Sequence, residues 1–227
     1  MGFNNIEKEH SLLEFKTNPY PGLFIDIDGL DGSGQSTQIE LLNKRLYKEA
    51  ITPVLTKEPA EDCCCGQEIR QILRKERQAE NPLKLQEMFV ANRKDHLERV
   101  IVPSLKNGGV VITDRYLWST ITYGSLDIPA VELIKMNQDF ILPDITVFLD
   151  VSPQECLKRI TNNRPSQEFF VELEKMEKIH KAYKWLTEQF SNNITVVNGE
   201  REMEEIAREI SNIIRVHPKF SSLKTLM

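Results

Sequence analysis

The sequence predicts an α/β domain: a doubly wound, five-stranded parallel sheet with helices on both faces and a short lid. Three observations carry this. Short apolar runs, most of them β-branched, recur along the chain. Stretches with helical periodicity separate them. The first run opens into a glycine-rich turn that leads straight into a helix. Alternation of this kind gives parallel strands joined by right-handed crossovers.

Strands are expected at Leu23–Asp28 (LFIDID), Pro53–Thr56, Val110–Thr113, Ile145–Val151 and Ile194–Val197. Their composition fits strands buried on both faces. Between them, Thr37–Glu49 carries Ile39, Leu42 and Leu46, and Pro82–Leu105 carries Leu85, Phe89, Leu97 and Ile101. Residues 166–190 place Phe169, Leu173, Met176, Ile179, Tyr183, Leu186 and Phe190 at steps of three or four. We assign that stripe to core packing. Glu200–Val216 is the last helix. Residues 1–21 read as a polar arm ending in the turn Asn18-Pro-Tyr-Pro-Gly22, residues 22–216 as one domain, and 217–227 as a C-terminal tail.

With 227 residues, 40% hydrophobic and 28% charged, the chain can build one substantial core and is too apolar for general disorder. Its formal charge of −5, from 29 basic and 34 acidic residues, argues against a dedicated nucleic-acid binder. It leaves room for a local basic pocket. No apolar run approaches the ~20 residues of a membrane span. The opening MGFNNIEKEHSLLEF lacks the apolar region of a signal peptide, and Ile6 breaks the myristoylation pattern. Cys63, Cys64 and Cys65 are consecutive and Cys156 stands alone, so no zinc spacing arises. Adjacent cysteines rarely satisfy disulfide geometry. The expectation is a reduced, cytoplasmic protein whose cysteine run fills a loop and a first helical turn, with a redox or metal role as the lesser alternative.

The informative stretch is Phe24 to Gln38. A buried strand runs into Gly29-Leu30-Asp31-Gly32-Ser33-Gly34, and Gln35-Ser36-Thr37 opens a helix. The glycines let successive amide N–H groups turn inward, and the helix N-terminus adds to them, making a nest for phosphate. The Walker A pattern asks for Gly, four residues, Gly, Lys, then Ser or Thr. Everything matches except the lysine, which is Gln35. Glutamine donates hydrogen bonds with a shorter reach and no charge, and one lost charge-assisted contact costs ~1.5–3 kcal/mol unless another cation replaces it. Ser36 stands where the motif places the Mg²⁺-ligating hydroxyl.

A second cluster, Asp114-Arg115-Tyr116, follows the third strand. Ligands of open α/β sheets sit at the carboxyl ends of strands. A carboxylate at Asp114 suits the Mg²⁺ hydration shell or a nucleophile, and a guanidinium at Arg115 suits a phosphoryl oxygen. Thr56-Lys-Glu58-Pro59 ends the second strand. Phe89 and Arg93 lie one helical turn apart, a spacing that could present a base-binding face but by itself favours a core Phe beside a surface Arg. Arg159 and Arg164 flank a short segment between two helices, the arrangement of a lid (residues 159–170) that brings charge to a transition state.

Taken together, these residues resemble the thymidylate kinase family over about residues 22–215. The family's phosphate-loop opening appears at Phe24–Gln38. Its Thr-Arg-Glu-Pro-Gly becomes Thr56-Lys57-Glu58-Pro59-Ala60, its Gly-x-x-Ile-Arg is Gly66–Arg70, and its Phe-x-Ala-x-Arg is Phe89–Arg93. Asp114-Arg115-Tyr116 is intact and is followed by Ser119 and Tyr123; Pro143-Asp144 precedes the fourth strand. Departures are Gln35, Ala60, Asp28 for glutamate, Gly124 after Tyr123, and Ser166-Gln-Glu-Phe-Phe170 in the lid.

The resemblance implies a P-loop NTPase fold, a homodimer packed through helices that include residues 83–105, and ATP with Mg²⁺ as phosphoryl donor to dTMP. It implies that Gly29, Asp31, Gly32, Ser33, Gly34, Gln35, Ser36 and Thr37 hold ATP, with Ser36 and Asp114 at the metal. Asp31 would lie near the acceptor's 3′-hydroxyl, and Arg70 and Arg115 would hold its 5′-phosphate. Phe89 would stack on thymine, Arg93 would bond the base, Glu58 would border acceptor and magnesium, and Ser119 and Tyr123 would complete the site. Gly32 leaves the loop without a catalytic arginine, so Arg159 and Arg164 are the lid candidates. Three other readings stay open at this point: a kinase for another pyrimidine nucleotide or deoxynucleoside, a nucleotide-binding protein impaired by Gln35, and a structural or partner-binding α/β protein without a nucleotide, against which the polar clusters at three strand ends argue.

Overall fold

The computed structural model describes residues 15–161 and 167–225. Five parallel strands form one sheet: β1 (Leu23–Gly29), β2 (Val54–Lys57), β3 (Val110–Asp114), β4 (Ile145–Asp150) and β5 (Ile194–Asn198). Their order is β2-β3-β1-β4-β5. Chain-consecutive β1 and β2 are therefore separated by β3, and the connection out of β1 runs toward the β2 edge while that out of its neighbour β4 runs toward the β5 edge. The crevice at the carboxyl end of β1 is the switch point where ligands of such sheets bind.

β1 is buried along its whole length because it pairs on both sides, Ile25 with Ile112 of β3 and with Ile145 of β4. Leu23, Ile25 and Ile27 enter a core with Ile39, Leu42 and Leu46 of α1 (Gln35–Lys48) and Ile206, Ile210 and Ile214 of α9 (Met203–Arg215). Phe24 enters the opposite core with Trp118 and Ile121 of α5 (Leu117–Gly124), Leu133 of α6 (Ala130–Asn137) and Met176, Ile179, Tyr183 and Leu186 of α8 (Gln167–Gln189). The stripe expected for residues 166–190 thus faces this core from Leu173 to Phe190. Two-face burial fails at the sheet edges: Val54 and Leu55 of β2 and Val196 of β5 are exposed.

The long helix expected over 82–105 is α3 (Pro82–His96), a π-helical turn over Leu97–Ile101, and α4 (Val102–Lys106). Pro103 has no N–H and its ring would crowd the carbonyl of Arg99, so a wider turn before it relieves the ladder. Asn81 caps α3, its side chain accepting from the Lys84 N–H at 2.8 Å.

Three short helices have no counterpart in the sequence reading, α2 (Gly66–Leu73), α5 and α6, whereas α7 (Pro153–Thr161) is the first of the two helices expected around the lid. α5 is buried almost all round, so no polar face marks its period.

Ordered packing also extends beyond the expected domain limits. Phe15 meets Trp118 and Phe190 edge-on at 5.2 and 5.7 Å, so the arm is packed from that residue onward. In place of a tail, α10 (Pro218–Thr225) follows α9 and sinks Phe220 into the core. Lys219 Nζ joins the two ends, donating to Asp144 at 2.7 Å and to the Asn18 carbonyl at 3.1 Å. Among the described residues no helix is long and apolar enough to cross a membrane.

Phe220→Ala is expected to lower unfolding free energy by ~3–5 kcal/mol, read from urea denaturation. A change under ~1 kcal/mol would mean that α10 is a detachable tail.

Candidate active site

The β1–α1 loop bends in two places that require glycine. Gly32 has φ +81°, and a Cβ there would meet the Cys156 carbonyl at 2.6 Å, so α7 rests directly on the loop. Gly34 has φ +99° and precedes the first helical residue. The loop borders an open cavity of about 460 Å³, which Ser36, Asp114, Arg115 and Arg159 also line. Asp31, Gly34, Gln35 and Thr37 share that lining.

Gln35 is buried and turns inward. Its Nε2 donates to the Gly29 carbonyl at 3.4 Å, closing the loop on itself. Ser33 is buried and its Oγ has no partner among the described residues. Ser36 Oγ donates to Asp114 Oδ2 at 3.0 Å, so the hydroxyl and the carboxylate expected at the metal share one rim. Both are hard oxygen donors. Mg²⁺ takes most of its ligands from water and phosphate oxygens, so this pair fits that ion.

Arg115 is the hub of the opposite wall. Its backbone has φ +71°, the left-handed region that costs a non-glycine residue on the order of 1 kcal/mol or more. The Arg115 N–H donates to the Ile27 carbonyl at 3.2 Å, and Thr113 Oγ1 donates to its carbonyl at 2.8 Å, which fixes that conformation. The guanidinium donates to the Gly29 carbonyl and to Ser119 Oγ, each at 2.8 Å, and to Asp31 at 2.6 Å. It lies 5.2 Å from the Tyr123 ring centroid. Beneath it, Asp28 Oδ1 accepts from Ser119 at 2.7 Å, Tyr183 at 2.7 Å and the Gly29 N–H at 2.8 Å. Burial raises the Asp28 pKa and the nearby Arg115 charge opposes the rise.

A second buried cluster joins β2 to α3. Arg93 Nε donates to Glu58 Oε2 at 2.8 Å and Nη2 to Thr120 Oγ1 at 2.7 Å, while Nη1 donates to Asn137. Arg93 is thus held by protein partners and fully buried, its guanidinium 5.1 Å from the Tyr116 centroid. His96 Nδ1 lies 3.2 Å from Glu58 Oε1, and its Nε2 lies 2.6 Å from Thr56 Oγ1. The Glu58 N–H donates to the Asp114 carbonyl at 3.1 Å, which binds this cluster to the first. Phe89 is half-buried one turn before Arg93. Arg70, on α2, donates to the Pro59 carbonyl at 2.9 Å.

Arg159, at the end of α7, donates to the carbonyls of Ser33 at 3.4 Å and Gly199 at 3.3 Å, and pairs with Glu155. It stands over the phosphate loop. Arg164 and most of the lid beyond residue 161 lie outside the described residues.

The structure therefore brings together Asp31, Gln35, Ser36, Asp114, Arg115, Ser119, Tyr123 and Arg159 around one cavity and its wall. Glu58 and Arg93 lie in the adjoining cluster. Sequence reasoning missed Tyr183, whose hydroxyl holds Asp28, and the helix-borne partners His96, Thr120 and Asn137. For Tyr183 the signal was a phenol within an otherwise apolar stripe. The other three give no local signal.

Asp26 is fully buried on β1, and neither of its oxygens has a hydrogen-bond partner among the described residues. Burial, with the negative charges of Asp28, Glu58 and Asp114, holds its pKa well above the ordinary carboxylate range. Such a group binds its proton more tightly in the folded chain than in the unfolded one. Its contribution to stability is present at low pH and is lost as pH climbs above the unfolded value of about 4. Asp26→Asn is expected to be more stable than the native protein at pH 8, with a flatter pH dependence in urea denaturation. Lower stability at pH 8 would mean that Asp26 is a compensated anion.

A family model described as thymidylate kinase matches residues 27–210. The chain is similar to a probable thymidylate kinase of Thermococcus gammatolerans, 34% identical over 208 residues, covering 85% of this chain and 96% of that protein. It is 30% identical over 203 residues to a thymidylate kinase of Clostridium novyi, covering 86% and 98%. A thymidylate kinase of Nitrosomonas europaea is 31% identical over 199 residues, covering 85% and 92%. With its parallel sheet, its phosphate loop and these relatives, the chain belongs to the thymidylate kinase family.

Proposed function

We propose that the protein transfers the γ-phosphoryl group of ATP to dTMP, giving ADP and dTDP. The observation that carries this reading is the shared cavity. A phosphate loop and the Ser36–Asp114 pair meet there with the wall built on Arg115. The two phosphate groups of such a reaction need anion-binding elements side by side, and here the two walls share the Gly29 carbonyl as an anchor.

In this reading the amides of residues 29–37 cradle the ATP phosphates. Arg115 and Arg70 hold the acceptor's 5′-phosphate, and Asp31 leaves Arg115 to meet the sugar's 3′-hydroxyl. Phe89 offers its ring to thymine, and Arg93 with Thr120 forms the polar floor for the base edge. Ser119 and Tyr123 fix Arg115 beneath the acceptor. A phosphate oxygen is already a competent nucleophile at neutral pH, so the protein's work is alignment and charge neutralisation rather than proton removal. Ser36 and Asp114 would hold Mg²⁺, which supplies positive charge to the phosphoryl oxygens when bound. Gln35 supports the loop instead of charging it, and Arg159 with Arg115 supplies the cationic character.

Self-association belongs to the same reading. Leu73 and Leu83 are half exposed on α2 and α3, which supports a homodimer through that side.

The test is ADP formation from ATP and Mg²⁺ with and without dTMP. We expect turnover that depends on dTMP, falls with dUMP or dCMP, and changes less than ~10-fold in Gln35→Lys, since two arginines already face the cavity. A native protein silent with dTMP, and active only as Gln35→Lys, would make it an impaired nucleotide binder.

A further inference from the structure

The cysteine run, read from sequence as loop filler, contains two thiols in contact. Cys63 is buried, Cys64 exposed and Cys65 half-buried. Cys64 Sγ and Cys65 Sγ lie 3.4 Å apart, near enough to share one hydrogen. We propose that Cys64 and Cys65 form a two-thiol site for a soft trivalent centre of the arsenic(III) type, and that its occupancy reaches Arg70 through α2.

The surrounding loop holds the two thiols in place. The Cys64 N–H donates to Asp95 Oδ2 at 2.8 Å, and its carbonyl accepts from Asn92 Nδ2 at 2.8 Å, both from α3. Asn92 also grips both backbone groups of Ala60, at 2.9 Å each. Cys65 is held at φ +60°, in the left-handed region. A Cβ on the next residue, Gly66, would meet the Ala60 carbonyl at 2.0 Å, so the chain folds back tightly there. The sulfur pair is preorganised by backbone that its own side chains do not determine. An open cavity of about 530 Å³, lined by Cys63 and Cys65 among others, gives access from solvent.

The separation selects the ligand class. A disulfide has sulfurs ~2.05 Å apart, so forming one requires closure by ~1.4 Å within a single dipeptide. A tetrahedral zinc ion with bonds of ~2.3 Å requires roughly 3.8 Å. With bonds of that same ~2.3 Å length, sulfurs 3.4 Å apart subtend roughly 95° at the centre, the angle of a pyramidal three-coordinate atom. Among the described residues no group of three His, Cys, Asp or Glu side chains is placed to hold a metal ion. The third substituent then comes with the ligand, as in an organic arsonous acid. In that condensation two S–H and two As–O bonds break, two As–S and two O–H bonds form, and two waters leave without oxidation or reduction.

The link to Arg70 is short. The Ile69 N–H donates to the Cys65 carbonyl at 2.9 Å, and the Arg70 guanidinium sits on the Pro59 carbonyl and 3.5 Å from Glu61, at the other end of the same loop. A centre that fixes both thiols therefore constrains the first turn of the helix that carries Arg70. The binding half of the proposal stands apart from the proposed function; the effect on the acceptor rests on it.

The experiment treats the full chain with phenylarsine oxide and reads intact mass. We expect one adduct that survives excess 2-mercaptoethanol and is removed by 2,3-dimercaptopropanol. It is lost in Cys64→Ser and in Cys65→Ser and kept in Cys63→Ser and Cys156→Ser. Persistence in Cys64→Ser, or no adduct resistant to the monothiol, overturns the site. In the loaded protein the KM for dTMP is expected to rise at least about threefold with the KM for ATP unchanged; equal KM values for dTMP overturn the coupling alone. Failure of the kinase reading would show separately, as absent turnover in the untreated chain.

Discussion

The site depends on the charge of Arg115, held where three carboxylate-bearing or carbonyl-bearing segments meet. This guanidinium bonds the carbonyl of Gly29, the hydroxyl of Ser119 and the carboxylate of Asp31, above the buried Asp28. It therefore joins the end of β1, the phosphate loop and α5. Remove the charge, and Asp28 becomes an uncompensated anion in the core. The left-handed backbone at Arg115 shows that the fold accepts local strain to place this group.

A second charged pair extends the design beside the first. Glu58 and Arg93 are both buried, and each charge is covered by further contacts, Glu58 by His96 and Arg93 by the oxygens of Thr120 and Asn137 to which it donates. Buried pairs of this kind add little net stability, yet breaking one member is costly. Their value here is positional: they tie the end of β2 to α3, α5 and α6. Asp26, fully buried without a partner, is the point where this buried polar region is least compensated.

Local chemistry was legible in the sequence. β1, the glycine loop and Asp114-Arg115 could be read because each is a contiguous stretch whose residue types determine its conformation. The long-range partners could not. Nothing in the spacing of Glu58 and Arg93 says that they pair, and the burial of Arg93 follows only from packing α3 against α5 and α6. α5 escaped notice because a helix buried all round has no polar period. The end of the domain was misplaced because α10 shows no stripe of its own and is secured by Phe220 and the Lys219–Asp144 pair.

Gln35 fits the same picture. Its amide closes the loop onto Gly29, the carbonyl that Arg115 also holds, so a neutral residue at this position supports the loop through the same anchor as the guanidinium. The most direct test of that claim is amide hydrogen exchange across residues 29–37, comparing the native protein with Arg115→Met. If Arg115 organises the loop, losing its charged hydrogen bonds speeds exchange there about tenfold or more, while β4 keeps its protection. Unchanged protection of the loop in Arg115→Met would contradict the account, because the loop would then hold its shape without the guanidinium.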